Sequence, residues 1–204
     1  MENLPMVSNR SLRTWSSSKA PKYLRPEQVR LILDYEYNKN FIAEKEKRNL
    51  NRYYVLFSLL WNTGARISEA LSLVVDDIKH DKHIYFRTLK KGKDASRYVF
   101  ISESMFEILS RYMREQELVG SSKLFNLSPV AVHKELKNVC KAVGLPSWVH
   151  VHTLRHSFAV YCLASGVHIN TLKEILGHES VETTMVYLKV FQPEVDSQLQ
   201  KVQF

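Results

Sequence analysis

Only one pair of neighbouring segments in this 204-residue chain carries a strand signature. Ile84-Tyr85-Phe86-Arg87-Thr88-Leu89 and Arg97-Tyr98-Val99-Phe100-Ile101 are rich in aromatic and β-branched residues, which suit a pleated surface. The polar turn KKGKDAS, with Gly92 inside it, joins them. One hairpin cannot enclose a core of this size, so helices have to supply the rest. The expected class is α+β, mostly helical, with one small antiparallel sheet. Turn and cap residues divide the remaining chain accordingly. Pro26 suits a first helical position ahead of Val29, Leu31, Ile32 and Leu33. An apolar helix runs from Tyr53 to Trp61 and can end at Gly64, and a short one spans Arg66 to Leu73. Ser102 caps a helix whose Phe106, Leu109 and Met113 share a face. Ser128-Pro129 opens another that ends at Gly144, and a further helix starts near Thr153 and stops at Gly166. Two more are expected over Asn170 to Leu176 and Val181 to Val190.

The charge balance narrows the partners. The chain has 29 Lys+Arg against 21 Asp+Glu, a net charge of +8. Such an excess fits a polyanionic partner, nucleic acid or an acidic membrane surface. No apolar run approaches the length of about 20 residues that spans a bilayer, and the N-terminus has no apolar signal region. Cys140 and Cys162 fall on apolar helical faces without metal-ligand spacing, so they read as buried free thiols of a cytoplasmic protein.

One stretch does not fit its place. In HTLRHSFAVYCLASG (152–166), Leu154, Phe158, Tyr161 and Cys162 make one apolar helical face. Yet His152, Arg155 and His156 crowd the first turn, where a helix already carries partial positive charge. An anion bound at that helix mouth would account for them. Elsewhere, Arg66 and Glu69 stand three residues apart on a short helix, and Lys90, Lys91 and Lys93 load the hairpin tip. His178 follows Gly177 at a corner, and Tyr187 lies on a mixed helix. Taken singly, these could be a surface ion pair, a solvated loop, a turn residue and a packed aromatic.

Taken in order, they form a pattern. TGARISEALSL (63–73), LKKGK (89–93), HTLRH (152–156) and LGHESVETTMVYL (176–188) resemble the signature boxes of the tyrosine recombinases, also called the phage integrase family. His178 stands 23 residues after Arg155, and Tyr187 nine after His178, intervals similar to those of family members. The resemblance implies a catalytic domain over 22–190, preceded by a flexible basic arm (1–21) and followed by a tail (191–204) that contacts a neighbouring protomer.

The implied chemistry is cleavage of a DNA phosphodiester by Tyr187, giving a 3′-phosphotyrosine. Arg66 and Arg155 would clamp the non-bridging oxygens, as planar guanidinium forks can, and His178 would add a third donor. His152 would accept the phenol's proton or hydrogen-bond to it. Lys90 or Lys91 would protonate the leaving 5′ oxygen. Glu69 would orient the arginines. The phosphotyrosine conserves the bond energy, so neither a metal nor a cofactor is implied.

Only some 20 residues precede the catalytic segment, so the chain resembles short members such as the fimbrial phase-switch invertases, which lack a helical clamp domain. That implies a possible accessory DNA-bending protein and gives the arm a task. Arg10, Arg13, Lys19 and Lys22, with Lys93 and His156, are the expected DNA contacts. The expected assembly is mainly a monomer in free solution and a homotetramer on double-stranded DNA. Inversion, resolution and integration all remain open, as do two other readings, a non-catalytic DNA-binding regulator and a type IB topoisomerase.

Overall fold

The computed structural model describes residues 20–43, 49–87 and 96–191. Within them the chain forms α1 (Pro26–Ala43), α2 (Arg52–Thr63), α3 (Ile67–Ser72), β1 (His83–Phe86), β2 (Arg97–Phe100), α4 (Glu103–Glu115), α5 (Pro129–Ala142), α6 (Val151–Ala164), α7 (Ile169–Leu176) and α8 (Val181–Met185). A 3₁₀ turn (Val75–Asp77) leads toward β1, and another (Val186–Val190) continues α8. The fold is α+β and mostly helical, with a single two-stranded antiparallel sheet among the described residues. None of the described helices is long and apolar enough to cross a membrane.

Helix α2 is apolar around most of its circumference and buries Val55, Leu56, Phe57, Leu59 and Leu60, as a central helix must. It packs against α1, α4 and α6. The hairpin lays Ile84, Phe86 and Val99 on this core and leaves Tyr98 and Phe100 outside. In its register Phe86 stands opposite Arg97, and Ile84 opposite Val99. Paired residues share a face, so Arg97 lies on the core side. A smaller cluster of Phe158, Ala159, Val160, Leu172 and Leu176 encloses Tyr187.

Two glycines decide how the helices meet. Gly64 closes α2 and Gly177 closes α7, both in the left-handed region, at φ of 61° and 64°. A side chain at Gly64 would also strike the Phe158 ring, which lies 2.4 Å from a Cβ built there. Both glycines turn the chain where two helices come close, and leave helix-end carbonyls open for partners.

The structure moves several expected faces. On α4 the buried face is Met105, Leu109 and Tyr112, with Phe106 and Met113 at its margins. On α6 the expected stripe extends too far. Tyr161 is half exposed beside Trp61, while Val151, Arg155, Ala159 and Val160 are buried. The first half of α6 is covered on nearly all sides, so a one-face periodicity does not describe it. Cys140 is buried, but Cys162 is only half-buried, and burial pushes its thiol up to about 11. The last expected helix splits into α8 and its 3₁₀ continuation, whose tighter winding turns Tyr187 into the smaller cluster.

Candidate active site

The arginine box begins where α2 ends. Gly64 and Ala65 turn the chain so that Arg66 becomes the N-cap of α3, and Glu69 reaches back to accept the Arg66 backbone N–H at 2.8 Å. The same carboxylate accepts Arg66 Nη1 at 2.9 Å, and Arg97 Nη1 and Nη2 at 3.1 and 2.8 Å. Four donors therefore occupy its two oxygens. Burial alone would raise the Glu69 carboxyl, but the hydrogen bonds and charge of Arg97, then Arg66, hold it at about 2.

Arg155 does not stay at the mouth of α6. Its buried guanidinium donates to the Gly64 carbonyl at 2.7 Å and the Leu176 carbonyl at 2.8 Å. Arg66 Nη2 lies 3.4 Å from the Gly177 carbonyl, and Arg97 Nε donates to the Ile175 carbonyl at 2.7 Å. The partially negative end of α7 thus holds all three arginines, which offsets part of their mutual repulsion. Burial, and next the charge of Arg66, lower Arg155 to about 10, so it stays charged at neutral pH.

His178 Nε2 lies 2.9 Å from Arg155 Nη2, and its Nδ1 lies 2.8 Å from the Thr184 hydroxyl. Arginine can only donate, so Nε2 accepts and Nδ1 carries the proton toward Thr184. The sequence expected His178 to be a donor; in the free protein its inner nitrogen is an acceptor. Burial, then Arg155, Arg66 and Arg97, hold it down to about 4.

Tyr187 is 2% exposed, and its phenol oxygen lies 3.1 Å from His156 Nδ1. By sequence His156 is an expected DNA contact; in the structure its ring faces the Tyr187 phenol. Burial, then His152, His150 and Arg155, hold its imidazole down to about 4. His152, expected as the proton acceptor, is exposed one turn nearer the helix start. Burial of its ring and the charges of Arg155 and Arg66 lower its value as well. Burial raises the Tyr187 phenol above its usual range, and Arg155 and Arg66 pull it partly back.

The structure therefore brings Arg66, Glu69, Arg155, His178, Tyr187 and His156 together. Lys22 is exposed, with its ammonium 5.4 Å from the Trp148 ring centroid. Arg10, Arg13, Lys19, Lys90, Lys91 and Lys93, and the chain beyond 191, lie outside the described residues. Sequence reasoning missed Arg97. Part of its signal was there: alternation along the strand puts this arginine on the same face as Val99, while the hairpin register that sets it opposite Phe86 comes from the fold. Among the described residues, no three His, Cys, Asp or Glu side chains are placed to share a metal ion.

Three arginines, a histidine and a tyrosine that converge where helix ends meet define a class: a helical α+β domain with a cluster of cationic side chains near a buried phenol. The chain belongs to the phage integrase family, whose sequence profile matches residues 22–194. It is 30% identical over 182 residues to a tyrosine recombinase of Pseudothermotoga lettingae, covering 86% of this chain and 59% of that protein. Tyrosine recombinase XerA of Pyrococcus horikoshii is 34% identical over 180 residues, covering 83% and 57%. The chain thus spans less than three-fifths of the length of these relatives. Its fold is similar to a crystal structure of XerA recombinase (TM-score 0.71, 24% identity, 94% of this chain and 68% of that one). It is also similar to the catalytic domain of bacteriophage HP1 integrase (TM-score 0.63, 27% identity, 88% and 94%). A third similar structure is XerH site-specific recombinase bound to its difH substrate before cleavage (TM-score 0.70, 26% identity, 88% and 53%).

Proposed function

We propose that the chain is a site-specific DNA recombinase that cleaves and rejoins strands through a 3′-phosphotyrosine at Tyr187. One observation carries the reading: Arg66 and Arg97 share a single carboxylate, Glu69, and Arg155 joins them at the end of α7, with Arg66 and Arg155 acting on the Tyr187 phenol. Three cations against one anion leave two positive charges uncompensated, and a DNA phosphate completes such a site. Fixed donors aimed at charge that grows in the transition state are the largest common source of catalysis.

Arg66 and Arg155 take the non-bridging oxygens. The phosphate draws Arg155 toward itself and frees His178 Nε2. The Thr184 hydroxyl can donate as well as accept, so the His178 ring can shift its proton to Nε2 and become the third donor. As the phenol oxygen bonds to phosphorus, its proton passes to His156 Nδ1. The bond from phosphorus to the 5′ oxygen breaks, and Lys90 or Lys91 protonates that oxygen. His152, at the exposed mouth, hydrogen-bonds to the bound phosphate. Rejoining runs the same steps in reverse. The scheme uses no metal and no cofactor.

The net charge of +8 and the family membership support double-stranded DNA as partner. The proposed assembly is a cytoplasmic, nucleoid-associated monomer that forms a homotetramer on two DNA sites, with an accessory DNA-bending protein. Residues 191–204 join the protomers, and the basic arm tracks phosphates. Tyr187→Phe tests the central claim. It removes one oxygen and leaves the packing nearly unchanged, so DNA affinity should persist while the covalent adduct vanishes. A duplex nicked near the cleavage point would trap the wild-type adduct as a slower gel band. The same band from the Phe variant would remove Tyr187 from its role.

A further inference from the structure

We infer that Arg97 is a positioning residue for strand cleavage, holding Glu69 so that Arg66 is presented to the phosphate. The inference rests on the functional reading above and goes beyond it, because Arg97 belongs to none of the family's boxes in this chain. Its side chain is 9% exposed, an unusual burial for an arginine that does not itself face the phenol.

The geometry gives Arg97 two grips. Its fork meets both oxygens of Glu69, at 3.1 and 2.8 Å. Its Nε holds the Ile175 carbonyl at 2.7 Å. One planar group thus ties the arginine box on α3 to the end of α7, where Leu176 and Gly177 supply carbonyls to Arg155 and Arg66. Phe86 underlies the guanidinium, with its ring centroid 5.0 Å away. Gly177 leaves the space for it: a Cβ there would lie 2.9 Å from Arg97 Nη1. The glycine before His178 therefore serves both the left-handed turn and the seat of Arg97.

The consequence for Arg66 is electrostatic and geometric. Glu69 faces Arg66 on its own element, Arg97 on β2, and the charges of Arg155 on α6 and His178 after α7. Without Arg97, a buried carboxylate keeps Arg66 as its one direct cationic partner. Glu69 then takes up a proton at a higher pH and releases Arg66, or pulls Arg66 wholly to itself. Either way the clamp loses its geometry, and small misplacements of a catalytic group cost up to about 100-fold.

The test uses the full chain with Arg97→Gln, Arg97→Lys and the double variant Glu69→Gln/Arg97→Gln. Single-turnover adduct formation on a nicked duplex is followed at saturating DNA from pH 5 to 9. Arg97→Gln should lose about 10–100-fold in rate with little change in DNA affinity, and gain an acid limb that wild type lacks. The double variant should stay slow but lose that limb, since no carboxylate remains to titrate. Arg97→Lys, which keeps the charge without the fork, should be intermediate in rate and limb. Should Arg97→Gln fail to fold, Arg97→Lys carries the comparison. A folded variant with wild-type rate and no new limb would overturn the inference. Carbon NMR of Glu69 gives a readout independent of DNA. A Glu69 titration still near 2 in either single variant overturns Arg97's role; a wild-type chain that forms no adduct overturns the functional reading instead.

Discussion

His152 and His156 stand one turn apart on α6, yet only His156 meets Tyr187. A helix advances about 5.4 Å per turn, so four residues carry His156 from the exposed mouth down to the phenol. Its low value keeps it neutral and able to accept a proton throughout the working pH range. His156→Ala should slow adduct formation by about 10²–10⁴-fold, the usual worth of a positioned proton acceptor, and His152→Ala should cost less. The wild-type rate should show no loss from His156 protonation between pH 8 and 5. Single-turnover rates of the two variants decide the matter. A larger loss at His152 would return the acceptor role to it. The motif HTLRH named both histidines, but their spacing on one face could not say which lies deeper.

At the scale of elements, helix ends do much of the positioning: α2 and α7 close on left-handed glycines and give their last carbonyls to arginines. A second polar junction lies away from the site. Glu36 on α1 is fully buried; it accepts from Asn51, the N-cap of α2, and neighbours Glu135 of α5, which pairs with Lys39. Burial first, then Glu135, push its carboxyl from 4.5 up to about 7. The folded value lies above the unfolded one, so its contribution to stability is fully present below about pH 4.5 and is lost as the pH rises through about 7. Glu36→Gln keeps the shape without a charge to bury. It should raise Tm by about 2–5 °C at pH 8 and leave it nearly unchanged at pH 5. Calorimetry at the two pH values checks this; an equal shift at both would mean that Glu36 ionisation does not limit stability. The sequence showed these helices through their periods and caps, and the spacing of Val29, Ile32 and Glu36 puts the carboxylate on the core face of α1, but only the packing brings Asn51 and Glu135 to it.

At the scale of the whole molecule, the excess charge should make DNA affinity fall steeply with salt, because each neutralised phosphate releases counterions. Residues 1–20 carry Arg10, Arg13 and Lys19. Deleting them should flatten the log–log slope by about 2–3 if each meets a phosphate. Fluorescence anisotropy of a labelled duplex across a potassium chloride series measures it, and an unchanged slope would remove the arm from the interface.

The amino-acid sequence by itself determined what is local. Aromatic and β-branched content marked β1 and β2, helical periodicity and caps marked the helices, and Gly64 and Gly177 stood where left-handed turns end α2 and α7. Each of these follows from backbone and side-chain preferences within a few residues. The chemical types of the site were equally legible, because a phosphate clamp needs arginines and a nucleophile needs a named side chain. Only the tertiary structure decided who pairs with whom. Arg155 reaches the Gly64 carbonyl across 91 residues, and Arg97 reaches Glu69 across 28. Tyr187 meets His156 across 31. Those choices depend on which helix ends converge in the packed core, and packing is set by the shapes of many side chains at once rather than by any one stretch of chain.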